Sequence, residues 1–587
     1  MHKQSRREFL KTVSIAAGSA GVFSVLPGCS GLDMKIRAKG RGPNVVLVIT
    51  DDQGYGDLSC HGNKILKTPN LDKLHGQSTR LTDFHVNPTC SPTRAALMTG
   101  RYCNRTGVWH TIMGRSLLRK DEVTMADVFK AGGYRTGIFG KWHLGDNYPF
   151  RPMDRGFDDT LVHRGGGIGN TQDYWGNDYF DDTYFRNSKP EKFEGYCTDV
   201  WFAEAMKFIE ANKNRPFFCY LTTNAPHGPF RVPEKYSQPY KNKGINANFY
   251  GMIANIDENM GRLDAKLKEL GLDDNTILIF MTDNGTAAGN GGKNGYNAGM
   301  RDDKGGKYEG GHRVPFFIRW PGVLDRGRDV ERLTAHIDVL PTLIGLCGLN
   351  KPADAAFDGT SLVPLLADQK KWPERVIITD SQRVEHPEKW RKSAVMTDRW
   401  RLIDGKELYD IKADPGQQND IASKHPQETK QLRQEYEKWW DDTSERFGEY
   451  CSTIVGSDAE KLTKLTSHDW HADGPWNQGQ IRKGKNNNSF WAIDVARDGE
   501  YEIALRRWPI EADAAITGAV GQGKALNITR ARLKIGDYEQ TKGIPDQAKQ
   551  IAFRVNLAAG KTRLQTWFED RQGKNRGAYY VYIRRLK

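Results

Sequence analysis

Two short runs, Asn44-Val45-Val46-Leu47-Val48-Ile49 and Thr276-Ile277-Leu278-Ile279-Phe280-Met281, are apolar at every position after the first. A half-buried strand would alternate with polar residues, and a surface helix would show a polar stripe. Both runs therefore read as strands buried on two faces, as in the middle of a parallel sheet covered by helices. Met125–Ala131, Val200–Asn212 and the long Phe249–Leu270, closed by Gly271, read as covering helices. Thr136-Gly137-Ile138-Phe139 and Pro216–Leu221 read as further strands. The alternation predicts an α/β fold, a mostly parallel sheet sandwiched by helices.

At 587 residues the chain exceeds what one hydrophobic core supports. The α/β pattern runs over 41–365. A small C-terminal α/β subdomain, 366–450, contains Lys406-Glu407-Leu408-Tyr409-Asp410 and a helical run from Gln427 to Trp440. From 465 to 587 the period changes to two. Phe490–Val495, Tyr501–Leu505, Ala531–Ile535, Ile551–Leu557 and Tyr579–Ile583 are separated by glycine-containing turns, and no helical period is visible. This stretch predicts an appended antiparallel β-sandwich.

The formal net charge of +13 favours anionic partners: nucleic acid, anionic lipid or a sulfated glycan. The first 28 residues hold four of the cations and one acid, so the chain without them is still strongly basic. Ser5-Arg6-Arg7-Glu8-Phe9-Leu10-Lys11, followed by a weakly apolar run to Leu26, resembles a twin-arginine export signal. Leu26-Pro27-Gly28-Cys29 resembles a lipoprotein cleavage box with Cys29 as the residue to be lipidated, although Pro27 departs from the usual pattern; an uncleaved anchor is the alternative. The expected destination is the periplasm or cell surface. The eight cysteines (29, 60, 90, 103, 197, 219, 347 and 451) show no CxxC pair and no zinc spacing. Cys219 and Cys347 lie in apolar runs and read as core residues.

Each apolar strand ends in acid: Asp51-Asp52 after the first, Asp283-Asn284 after the second. In open parallel sheets ligands bind beyond the carboxyl ends of the strands, so both clusters should face one crevice. Carboxylates with an amide oxygen suit calcium or magnesium; two solvated turns are the alternative. Cys90-Ser91-Pro92-Thr93-Arg94 opens what reads as a helix. Its N-terminus and Arg94 would favour a thiolate, while a structural cysteine is the other reading.

Cys90-Ser91-Pro92-Thr93-Arg94 matches the C-x-P-x-R signature of type I sulfatases of the alkaline-phosphatase superfamily, in which the cysteine becomes Cα-formylglycine (3-oxoalanine). The resemblance extends from Asn44 to about residue 425. Asp51 to Leu58, Gly140-Lys141-Trp142-His143-Leu144-Gly145, Ala225-Pro226-His227-Gly228-Pro229, Thr282-Asp283-Asn284-Gly285 and Lys304-Gly305-Gly306-Lys307-Tyr308-Glu309-Gly310-Gly311 look like the family's further motifs, in family order. The resemblance implies calcium, rather than magnesium, held by Asp51, Asp52, Asp283, Asn284 and an oxygen of the formylglycine at Cys90. It implies that Arg94 steadies the hydrated aldehyde, that Lys141 pairs with it and that His143 bonds its second hydroxyl. His227 and Lys304 would hold the sulfate and its leaving oxygen. One hydroxyl would attack sulfur, and His143 would then take the proton from the other as sulfate is expelled.

The partners implied are a formylglycine-generating maturation enzyme, an export translocon, a lipid anchor at Cys29 and a sulfated carbohydrate, not nucleic acid. Algal polysaccharides such as ulvan or carrageenan are the first expectation and glycosaminoglycans the second. The loop His163–Asn187, with Tyr174, Trp175, Tyr179, Phe180, Tyr184 and Phe185, reads as a subsite wall or a packed structural loop. Leu505-Arg506-Arg507-Trp508 joins charge to an aromatic face, as a glycan surface would. Rival readings are a phosphodiesterase or phosphonate hydrolase of the same superfamily and a non-catalytic glycan-binding lipoprotein.

Overall fold

The computed structural model describes residue 32 and residues 42–288, 295–369 and 372–587. The twin-arginine-like segment and Cys29 lie outside the described residues. Among these no helix is long and apolar enough to cross a membrane, and all seven cysteines are free.

Both apolar runs are strands, Asn44–Thr50 and Thr276–Thr282, buried along their whole length. They pair in parallel, Asn44 opposite Thr276 and Thr50 opposite Thr282. The pleat sends alternate residues to opposite faces. Val45, Leu47 and Ile49 enter one core with residues of the helices Cys90–Thr99, Met125–Ala131 and Val339–Cys347. Val46 and Val48 enter the other, with residues of Cys197–Ala211 and Ala247–Glu269. Two-sided cover is why no polar alternation interrupts either run. The long helix starts where the Asn246 side chain accepts from Phe249 N (3.1 Å), and Gly271 follows it at φ 65°.

The sheet has ten strands. Thr276–Thr282, Asn44–Thr50, Phe217–Thr222, Arg135–Lys141 and Asp159–His163 form a parallel centre, and antiparallel neighbours, Phe316–Arg319 on one side and Thr183–Arg186 on the other, extend it towards both edges. Beyond it, Ile377–Asp380, Ser393–Met396, Trp400–Ile403 and Glu407–Asp410 make an antiparallel sheet, with Leu432, Tyr436 and Trp439 of the helix Pro426–Thr443 packed on it.

The C-terminal part is two facing sheets around one apolar core that includes Trp470, Trp491, Ile503 and Phe553. Three details differ from expectation. Its strands begin at Thr453–Val455, ahead of residue 465, and that first strand pairs in parallel with Phe490–Val495. A helix, Gln478–Lys483, is present; at six residues, capped by Asn477, it is too short to show a period. Arg506, Arg507 and Trp508 are buried, and Arg507 donates to the carbonyls of Gly518 (2.8 Å) and Lys524 (2.7 Å). They are core, not a glycan surface.

Gly140, opposite Thr222, has φ 115°, and a Cβ there would sit 1.8 Å from Thr222 O. No side-chain rotation relieves a clash with backbone. Gly140→Ala should lower the apparent melting temperature by about 5 °C or more in a thermal denaturation scan.

Candidate active site

The parallel register that pairs Thr50 with Thr282 sets the next residues, Asp51 and Asp283, side by side. Asp52 N donates to Asp283 Oδ1 (3.0 Å), and Asn284 Nδ2 to Asp52 Oδ1 (3.0 Å). All four side chains are buried. Asp52 and His143 both hold left-handed backbone, φ 67° and 60°, a strain that surrounding packing must enforce.

Cys90 is the first residue of its helix and is 2% exposed. One oxygen each of Asp51 and Asp283, with Cys90 Sγ, all lie within 4.8 Å of one another. Burial raises the Cys90 thiol above its usual pKa, against the pull of Lys141 and Lys304. Burial thus works against the thiolate that the helix terminus and Arg94 would favour, and Cys90 Sγ lies 3.4 Å from His143 Nδ1.

Arg94 points elsewhere too. Its Nε and Nη2 donate to Asp283 Oδ2 (3.1 and 2.9 Å), and Nη1 reaches Lys141 O and Thr222 Oγ1. Lys141 Nζ donates to Asp51 Oδ2 at 2.6 Å. Carboxylates packed this closely in a dry site require opposite charge. Both cations thus pair directly with the acids, while their charge also reaches residue 90, where the resemblance puts them.

His143 Nε2 lies 2.9 Å from Thr111 O, a carbonyl that can only accept. The ring proton therefore sits on Nε2, leaving the Nδ1 lone pair towards Cys90. Burial, then Lys141, holds His143 well below the usual histidine range, so it is neutral. His227 is likewise neutral, its pKa pushed to about 4 by burial and then Lys304, with Nδ1 2.6 Å from Gly228 O. Lys304 Nζ donates to Asp52 Oδ2 at 2.7 Å. The side chains of His227 and Lys304 are 23% and 20% exposed, which puts them at the mouth.

The donor set fits a hard cation. Asp51 Oδ1 and Asn284 Oδ1 are buried without a hydrogen-bond partner, a costly state for a polar oxygen unless something positive lies between them. Burial and the neighbouring Asp51 lift the Asp283 carboxyl to about 7.

The loop His163–Asn187 does cover the site, with Tyr179 Oη donating to His227 O (3.0 Å) and its other aromatics turned to packing. Tyr179, Tyr184 and Phe185 are buried, and Trp175 packs on Trp508. Glycine makes the closest approach: a Cβ on Gly166 would fall 2.3 Å from His143 Cε1, and one on Gly167 3.6 Å from His227. The β-sandwich pins this loop, since Thr171 N donates to Trp476 O (3.1 Å) and Gln478 Nε2 to Tyr174 O (3.0 Å). It also holds the segment behind His143. Met113 N donates to His468 O (2.9 Å), and the His468 ring lies 6.1 Å from that of His143. Thr111, Thr222, Gly166 and His468 had no sequence signal, because their roles come from contacts between distant segments.

The sulfatase family description matches residues 43–349, and an N-sulphoglucosamine sulphohydrolase C-terminal description matches residues 300–442. N-acetylgalactosamine-6-sulfatase of Rattus norvegicus is 31% identical over 369 residues, 58% of this chain and 69% of that protein. Arylsulfatase A of Homo sapiens is 34% identical over 371 residues, 58% and 70% of the two chains. The crystal structure of Ps i-CgsB in complex with k-i-k-neocarrahexaose superposes with a TM-score of 0.63 at 28% identity, covering 70% of this chain and 95% of that one.

Gly166→Ala should lower kcat by roughly tenfold or more on any substrate, since the methyl group must push His143 off its position. Steady-state kinetics alongside a melting curve will check it: the expected result is lost turnover with little change in stability.

Proposed function

The chain belongs to the sulfatase family and hydrolyses sulfate esters, and from that premise we propose that its substrate is a sulfated carbohydrate, attacked with formylglycine made from Cys90 and calcium held by Asp51, Asp52, Asp283 and Asn284. The observation that carries this reading is the convergence of Asp51, Asp283 and Cys90, with neutral His143 directed at residue 90. The named relatives include sulfatases of amino sugars, and Ps i-CgsB is described with a carrageenan-type oligosaccharide. Carrageenan or another algal polysaccharide is therefore the first substrate class to test. The twin-arginine-like start supports an exported enzyme.

Calcium here supplies fixed positive charge against the sulfate oxygens. A formylglycine at residue 90 would, once hydrated, supply two hydroxyls on one carbon for nucleophilic catalysis. The chain's own residues do the rest. Arg94 and Lys141 lock Asp283 and Asp51 in place. His143 Nδ1, facing residue 90 with its lone pair, accepts the proton given up there. Lys304, held as an ammonium by Asp52, neutralises the bound sulfate from the mouth. His227 is neutral until an anion arrives; the sulfate's charge then raises its proton affinity beside the leaving oxygen.

Protein coproduced with a formylglycine-generating enzyme should release sulfate from at least one of carrageenan, ulvan, fucoidan or heparan oligosaccharides, read by ion chromatography with the Cys90 peptide checked by mass. Cys90→Ala should lose at least ~100-fold of that turnover. Release from none of them, by protein shown to carry the aldehyde, would overturn the carbohydrate reading, and aryl phosphodiesters would be the next substrates. Calcium binding should also be proton-linked. A proton on Asp283 competes with the cation below about pH 7, so affinity should rise with pH through that range. Calorimetry in two buffers of different ionisation enthalpy should show proton release.

A further inference from the structure

We propose that Arg383 is a second anion-binding point of the substrate pocket, taking a sulfate or carboxylate on the sugar beside the one that carries the scissile ester. The proposal rests on the carbohydrate reading above and goes beyond it to substrate selection.

Arg383 lies in the connection between the strands Ile377–Asp380 and Ser393–Met396 of the small sheet. That connection is held tightly. Arg383 N donates to Trp109 O (3.3 Å), Arg391 Nε to Gln382 O (2.7 Å), and Glu388 N to Gln382 Oε1 (2.9 Å). Trp390 stacks on Tyr436 at 3.6 Å. Three of its non-glycine residues, Arg383, Trp390 and Lys392, are left-handed, at φ 46°, 65° and 42°. Such backbone persists only where surrounding contacts impose it, and it gathers at functional sites.

The connection reaches the catalytic pocket at Gly305. Lys392 Nζ donates to Gly305 O (3.4 Å), and a Cβ on Gly305 would meet Arg383 Nη1 at 3.5 Å. Gly305 directly follows Lys304, and its N–H is bonded to Pro88 O (2.8 Å), two residues ahead of Cys90. The Arg383 guanidinium thus lies against the backbone of Gly305, the residue after Lys304.

Arg383 is exposed, and among the described residues its guanidinium makes no hydrogen bond or ion pair. Other arginines of the same subdomain are committed: Arg375 to Asp338, Arg391 to Glu388 and Arg399 to Asp410. A guanidinium offers a planar fork that matches sulfate or carboxylate oxygens in pairs. Lys304 covers the scissile sulfate, so Arg383 is set for the next anionic group along the chain.

The test uses the full-length enzyme turning over 4-nitrophenyl sulfate, with sulfated disaccharides as competitors. Paired competitors carry either the scissile-type sulfate alone or that sulfate plus a second sulfate or a uronate on the neighbouring ring. Wild type should bind the doubly charged member more tightly. Arg383→Ala should shrink that preference about tenfold, and Arg383→Lys should keep part of it. An unchanged preference in Arg383→Ala, or no preference in wild type, overturns the proposal. Because inhibition reports binding, it separates the two readings. Arg383-dependent inhibition by saccharides that release no sulfate would retain this site and reject the carbohydrate-sulfatase function.

Discussion

The site depends on one backbone pairing: Asn44–Thr50 beside Thr276–Thr282, parallel and in register to the last residue. That register brings Asp51 and Asp283 together in a place closed to water. Two carboxylates so close repel each other and lose hydration at once, so the surroundings must answer with positive charge. Arg94 arrives on the helix that Cys90 begins, and Lys141 at the end of the strand Arg135–Lys141. Thr222 links the two, its hydroxyl bonded to both Arg94 and Lys141 O. Cys90 is thus positioned by the same helix that balances the acids.

The later parts of the chain are working parts of this centre. Arg401, on the small antiparallel sheet, is fully buried and donates to Glu309 Oε1 and Asp83 Oδ1, both at 2.8 Å. Glu309 lies five residues after Lys304, so this contact braces the segment that delivers the lysine. The β-sandwich steadies Thr111, through Met113, and the glycine loop over both histidines. Burial of Arg507 and Trp508 in its core removes the reason to regard it as a separate glycan-binding module.

Much of this was legible in the sequence. The unbroken apolar runs revealed the sheet centre because two-sided burial leaves no polar positions. The acids after them revealed the crevice because strand ends are where a parallel sheet opens. The family-like motifs named the ten polar residues, and the structure brings all ten to one place. Roles within that set were less legible. That Arg94 and Lys141 also bind Asp283 and Asp51 depends on charge balance in three dimensions, not on spacing. The aromatics of 163–187 read as a wall or as packing, because tyrosine and tryptophan fill cores as readily as they line pockets. Gly166 touches His143 because it has no side chain, which no pattern of side chains can announce.

The bond from Met113 to His468 joins residues 355 positions apart in the chain. All ten motif residues are already present by Lys304, but the brace behind His143 is not. A ribosome that stopped between residues 304 and 467 would release a chain with all ten motif residues and without the bond that supports the segment behind His143. Support for the segment behind His143 is therefore made only after the motif residues themselves. A prematurely ended product should be inert rather than loosely active.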